Sequence, residues 1–288
     1  MANVVTIRTR PPKLRRPALI AAFQGWNDAG ESASGTVEFL AAEMDAGGFA
    51  EIDPEEFFDF QATRPLVRNV DGERRIDWPG NLFSWARVPG ADRDVVLLQG
   101  TEPNLRWRTF TAAVVHLARD IGVELAVTLG ALQVDAPHTR EVPVTGNTND
   151  LVLGARLGLR PSHYEGPTGI TGILHQACAD AGLQSASLWA GIPHYLAGTS
   201  YLAGTLALVE AVVGLLDADV SVAPLVKEAA SQREELSELV AQDADLAEYV
   251  SELEARMDAA PDELPQPSVS GDELAADFER YLRDRDEG

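Results

Sequence analysis

The chain has 288 residues, 45% of them hydrophobic and 24% charged, which is ordinary for a soluble globular protein able to bury a sizeable core. Its net charge of −22 repels phosphate backbones, so nucleic acid is not an expected partner. One cysteine, Cys178, excludes an intrachain disulfide and suits a reducing, cytoplasmic setting.

The N-terminus is basic (Arg8, Arg10, Lys13, Arg15, Arg16), but no apolar run of signal-peptide type follows it. Residues 18–23, ALIAAF, read as a buried strand. They run into the polar turn Gln24-Gly25-Trp26-Asn27-Asp28-Ala29-Gly30, after which a small-residue helix begins at Glu31-Ser32-Ala33. Strand, tight turn and helix are the opening unit of an α/β domain, and ligands or partners dock at such turns. A β-rich insert follows at about 50–90, where 66–70 and 73–77 flank the hairpin-turn pair Asp71-Gly72. A second buried strand is predicted at 94–100 and a helix at 107–121, with Phe110, Val114, Leu117 and Ile121 on one face. A third strand is predicted at 124–130, then a helix at 170–182, a strand at 185–191 and a helix at 199–216. Buried runs separated by helices predict a mostly parallel sheet covered on both faces. The apolar stretch Leu202–Leu216 contains Glu210 and is too short to span a bilayer, so no membrane partner is expected.

After Asp217 the composition changes: 21 acidic and 6 basic residues fall in 217–288. Pro224 suits a helix start. Leu225, Ala229, Leu236, Leu239, Leu246, Val250, Leu253 and Met257 then keep roughly heptad spacing, which predicts a helical hairpin or a helix pair packed on the core. Ser270 and Glu273 form a capping box before a final helix with Leu274, Phe278, Tyr281 and Leu282 on one face. The chain thus divides into a core, 1–216, and an acidic helical extension, 217–288, packed on that core or on a neighbouring subunit.

The loops after the predicted strands gather on one sheet edge. They carry Gln24, Trp26, Asn27 and Asp28, then Glu102, Arg106 and Arg108, then Asp135, His138 and Arg140, then His194 and Tyr195. His138 and His194 are the acid–base candidates there, Glu102 or Asp28 the orienting carboxylate, and Arg106 or Arg140 an anion clamp. Conventional motifs are missing. No G-x-S-x-G elbow, P-loop or G-x-G-x-x-G fingerprint is present, and the five histidines (116, 138, 163, 175, 194) lack metal-ligand spacing. No cofactor and no metal are expected. The glycine-rich stretch 166–172 opens a helix, and its backbone N–H groups offer either an anion site or a close-packed turn. Five tryptophans (26, 78, 85, 107, 189) without a basic groove read as interface or core.

Several segments together resemble the proteasome assembly chaperone 2 family. They are Gly25-Trp26-Asn27-Asp28-Ala29-Gly30, Gln99-Gly100-Thr101-Glu102-Pro103-Asn104, Gly169-Ile170-Thr171-Gly172-Ile173-Leu174 and Pro193-His194-Tyr195. With Gly271-Asp272 and Phe278–Arg283, the likeness runs from about 17 to 285 and points to the bacterial branch. The resemblance implies a three-layer α/β/α sandwich, similar to the purine nucleoside phosphorylase type, with a β-hairpin insert and a C-terminal helical extension. It also implies a homo-oligomer, favours a trimer, and names proteasome subunits as partners. Gly25, Trp26, Asn27, Asp28, Gly30, Gly169, Thr171 and Gly172 are then the partner- or ligand-binding loops. Bacterial members are often labelled carboxylate–amine ligases of the ATP-grasp class. That chemistry needs magnesium-holding carboxylates and a lysine near the phosphates. The two lysines here, Lys13 and Lys227, lie away from the predicted edge. The terminal Arg285-Asp286-Glu287-Gly288 also lacks the hydrophobic–tyrosine–any-residue tail of proteasome-docking chaperones, so docking by that route is not expected.

Two readings follow. One is a non-enzymatic, oligomeric protein-binding scaffold. The alternative is an enzyme of unknown substrate, ligase-like or phosphorylase/hydrolase-like, working in the strand-end cleft; a small-molecule sensor in the same cleft is a third. The enzyme requires His138 and a carboxylate within hydrogen-bond reach in a deep pocket.

Overall fold

The computed structural model describes residues 4–70, 72–88, 90–159, 165–196 and 198–259. Along the chain run β1 (Val5–Ile7), β2 (Ala18–Gln24), α1 (Ser32–Glu43), β3 (Gly47–Ile52), β4 (Leu66–Val70), β5 (Glu73–Asp77) and β6 (Asn81–Ala86). Then come β7 (Val95–Thr101), α2 (Trp107–Asp120), β8 (Leu125–Val134), β9 (Val144–Thr148), α3 (Leu151–Leu157), α4 (Ile170–Asp180) and β10 (Gln184–Pro193). Three helices close the described chain: α5 (Leu202–Leu216), α6 (Ala223–Ala241) and α7 (Ala244–Ala259).

Eight strands form one sheet in the order β1-β3-β6-β7-β2-β8-β10-β9. The four central strands β7, β2, β8 and β10 pair in parallel, and the flanking strands pair antiparallel. Alternation along β2 divides its side chains between two cores. Ala18, Ile20 and Ala22 join Val37 and Leu40 of α1 and Leu208 and Val212 of α5 on one face. Leu19, Ala21 and Phe23 join Phe110 and Val114 of α2 and Leu174 of α4 on the other. Two covered faces make the expected three-layer α/β/α sandwich. Cys178 lies wholly buried in the second core, and burial pushes its thiol up to about 12, as a packing residue rather than a nucleophile.

The insert contributes β3 and β6 to the main sheet, while β4 and β5, among the described residues, pair with each other alone. Gly72 adopts φ +82°, the left-handed conformation that this tight turn requires. Leu225 of α6 is buried in the first core and Leu236 packs against it, so the helix lies on α5 and the sandwich. Residues 160–164 with His163, the capping box expected at Ser270 and the expected final helix lie outside the described residues.

Candidate functional site

Because β2, β7, β8 and β10 are parallel, their following loops meet on one edge, as the sequence predicts. α1 lies on one face of the sheet and α2 on the other, so the chain switches sides between β2 and β7, where ligands of open α/β sheets usually bind. Here that crevice is tied off by the chain itself. Glu102, just after β7, accepts from the backbone N–H of Ile170 at 2.9 Å and from that of Trp26 at 3.4 Å, and Asn27 Nδ2 stands 3.5 Å away. The N-terminus of α4, read above as a possible anion site, holds this carboxylate. Gly169 is required at the junction: a Cβ there would lie 1.8 Å from Asn27 Nδ2 and 2.8 Å from Glu102 Oε1. A Cβ on Gly25 would come within 3.0 Å of Glu102 Cβ, and φ there is +141°. Residues some 75 and 145 positions apart in sequence, 25–28, 102 and 169–170, thus form one cluster. Thr171 is wholly buried, and its Oγ1 has no hydrogen-bond partner among the described residues. Gly172 sits against Thr168 Oγ1.

Asp28 works locally. Its Oδ1 accepts from the N–H groups of Ala33 and Ser34 at 2.8 and 3.1 Å, and its Oδ2 from Ser34 Oγ at 2.6 Å. It therefore caps the orphan donors of α1. Burial pushes this carboxyl up, and the Ser34 and Ala33 hydrogen bonds pull it partly back. Asn27 does not cap; its carbonyl accepts from Ala131 N–H at 2.8 Å and joins the turn to β8. Gly30, at φ +61°, is crowded by Tyr201 and Ile192. Trp26 joins the cluster through its backbone N–H alone, and the residue is 62% exposed.

His138 is buried, and neither ring nitrogen faces a carboxylate. Nδ1 lies 2.8 Å from Tyr195 Oη and Nε2 lies 3.1 Å from Ser237 Oγ of α6. The His138 N–H also donates to Tyr195 Oη at 2.7 Å, and Ser237 Oγ donates to the Arg233 carbonyl at 2.8 Å. A neutral imidazole satisfies all four when Tyr195 donates to Nδ1 and Nε2–H donates to Ser237, an arrangement that also uses the Tyr195 hydroxyl proton; an imidazolium would turn that proton away from the ring. Burial likewise lowers its pKa, and that of Tyr195 is pushed up to about 12. His138 is expected to titrate below the ordinary imidazole value in a ring-proton NMR titration, because burial disfavours its charged form; titration at or above about 6.5 would contradict this network.

Arg140 pairs with Asp258 of α7 at 2.8 and 2.9 Å and with Glu254 at 3.2 Å, and Thr139 Oγ1 donates to Glu254. Arg106 pairs with Glu56 and lies over the Phe57 ring. His194 Nδ1 lies 3.4 Å from Asp135 Oδ1, and its ring meets Tyr195 and Tyr249 edge-on. Sequence reasoning placed Tyr195 on the strand-end loops without pairing it to His138, and it did not single out Ser34, Ser237 or Glu254; the alternation of small polar residues at 32, 34 and 36 is the signal that marks Ser34.

Two cavities, of about 700 and 180 Å3, lie at the opposite sheet edge, one under the arm at Arg10–Pro17 and one beside Leu125 and Gln184. Among the described residues no group of three or more His, Cys, Asp or Glu could hold a metal ion. No described helix is long and apolar enough to cross a membrane.

Fold and site define a class: an α/β/α sandwich with its strand-end crevice closed by its own side chains and an aromatic turn left outward. The chain belongs to the PAC2 family, whose model matches residues 22–240. A PAC2 family protein from Streptomyces avermitilis is 44% identical with a TM-score of 0.75, covering 81% of this chain and 99% of that one. A proteasome-assembly chaperone homologue from Mycobacterium tuberculosis is 44% identical with a TM-score of 0.74, again covering 81% and 99%. Pyrococcus furiosus PbaB, an archaeal proteasome activator, shares the fold at a TM-score of 0.67 and 19% identity, covering 82% and 97%. No curated protein matches the chain.

Proposed function

We propose that this chain is a non-enzymatic, oligomeric protein-binding scaffold of the proteasome-assembly chaperone type. Its partners in this reading are further copies of itself, a trimer by the family resemblance, and proteasome subunits. Residues 1–216 are the core with the insert at 50–90, and 217–288 are the acidic extension. The observation that carries the reading is the state of the strand-end edge. His138, Glu102, Asp28, Arg106 and Arg140 are each taken up by internal partners, whereas Trp26, Leu105 and Trp78 lie outward with about half or more of their surface exposed. Exposed aromatic and apolar groups of this kind mark protein contacts. The 44% identical proteasome-assembly chaperone homologue supports the same reading.

Affinity capture of the full chain from its host is expected to recover proteasome subunits or an assembly intermediate; recovery of none contradicts the assignment. Trp26→Ala is expected to leave the thermal midpoint unchanged and to lower that recovery about tenfold or more, the loss typical of an interface hot spot. Equal recovery would remove Trp26 from the contact.

A further inference from the structure

Basic groups that could meet an acidic partner occur in two places, and the structure separates them. The arginines of the N-terminal arm are paired within the chain: Arg8 with Glu51, Arg10 with Asp120, Arg15 with Asp94 and Arg16 with Glu124. In the β4–β5 hairpin the pairing is partial. Four arginines fall between residues 64 and 77. Arg68 and Arg75 stand directly opposite each other in the register, and each has a counter-charge on its own face, Asp77 for Arg68 and Glu73 at 3.6 Å for Arg75. Among the described residues Arg64 and Arg74 form no ion pair. Every residue of both strands is exposed. Val67 and Ile76, also opposite each other, share the Arg74 face with 54% and 55% of their surfaces exposed. An isolated two-stranded hairpin is marginal in water and needs a packed face to persist.

The complementary surface is on α6. Glu228, Glu235 and Leu239 share one helical face, Glu234 and Glu238 flank it, and Leu239 is 61% exposed. Among the described residues none of these four glutamates forms an ion pair. Hairpin and helix lie at separate ends of the strand-end edge. The hairpin hangs from β3 and β6, and α6 sits by the loops after β8 and β10 through Ser237 and Gln232. Four strand spacings, about 19 Å, separate those positions.

We propose that the Arg74–Val67–Ile76 face of the hairpin docks on the Glu235–Leu239 face of α6 in a second copy of this chain. The contact rests on the oligomeric reading above and deepens it. It joins two different patches, so it is heterologous, and it builds a ring where the rotation between successive copies closes. It also gives a chain of net charge −22 a place where self-association is electrostatically favourable.

The test uses full-length chains and light-scattering mass. Arg74→Glu with Ile76→Ser in one variant, and Glu235→Arg with Leu239→Ser in another, are each expected to reduce the wild-type oligomer to the 31.0 kDa monomer. An equimolar mixture is expected to form a 1:1 pair of twice that mass and nothing larger, because each variant retains the half that the other lacks. Arg74→Glu with Glu235→Arg in one chain is expected to restore the oligomer. Variants that melt like the parent yet keep its oligomeric mass overturn this contact and leave the oligomeric reading standing. So does a mixture that stays at monomer mass. A monomeric wild-type chain overturns both.

Discussion

Asp28→Ala is expected to lower the unfolding free energy by about 3 kcal/mol, from the loss of a cap and of a charge-assisted bond to a buried hydroxyl. The carboxylate serves the N–H groups of Ala33 and Ser34 and the Ser34 hydroxyl, all buried, and alanine leaves them without partners. Asp28→Asn is expected to cost no more than about 1 kcal/mol, since its carbonyl still accepts the two backbone bonds and its amide can meet Ser34 Oγ. Burial raises the folded-state pKa above the unfolded value, so the folded protein binds this proton more tightly. Through Asp28 alone, stability therefore rises as pH falls through that folded pKa, and Asp28→Asn removes this part of the slope. Urea unfolding at several pH values reads both effects. An asparagine variant as unstable as the alanine variant would contradict the capping role.

Tyr195→Phe is expected to cost a similar amount, about 3 kcal/mol, because two buried groups lose their partner together at roughly 1–3 kcal/mol each. The hydroxyl accepts from the His138 N–H and donates to His138 Nδ1. Phenylalanine keeps the ring and its edge-on contacts with His138 and His194, so packing loss is small. The readout specific to the hydroxyl is hydrogen exchange at the His138 amide, which should become faster by more than neighbouring β8 amides do. A change below about 0.5 kcal/mol, the size of an ordinary surface substitution, would show that His138 is satisfied some other way.

The architecture was legible where apolar runs were long. β2, β7, β8 and β10 are continuous buried stretches ending in glycine or polar turns, and the helices between them keep strict spacing. β1, β9 and α3 were not legible, because three to seven half-exposed residues carry too little pattern. The candidate site was legible as a list of loops but not as a set of bonds. Nothing in the spacing of Glu102 and Ile170 says that one carboxylate closes the helix terminus of the other. Nor does the α6 heptad say that Ser237 turns inward to hold His138. These contacts depend on how helices α4 and α6 settle on the sheet, which is decided by packing over the whole domain. The hydrogen-bond potential of His138, Arg140 and Glu102, which in sequence suggests chemistry, is met from elements far away along the chain.

The role given to the Gly25–Gly30 turn is tested most directly by a photo-crosslinking amino acid at position 26 in the full-length chain, expressed in its host. Trp26→p-benzoylphenylalanine is expected to yield protein adducts, either with a proteasome subunit or with a second copy of the chain, while the same group at Lys13 on the opposite edge yields few. An exposed residue 26 that captures no protein, or no more than position 13 does, would contradict a docking role for this edge.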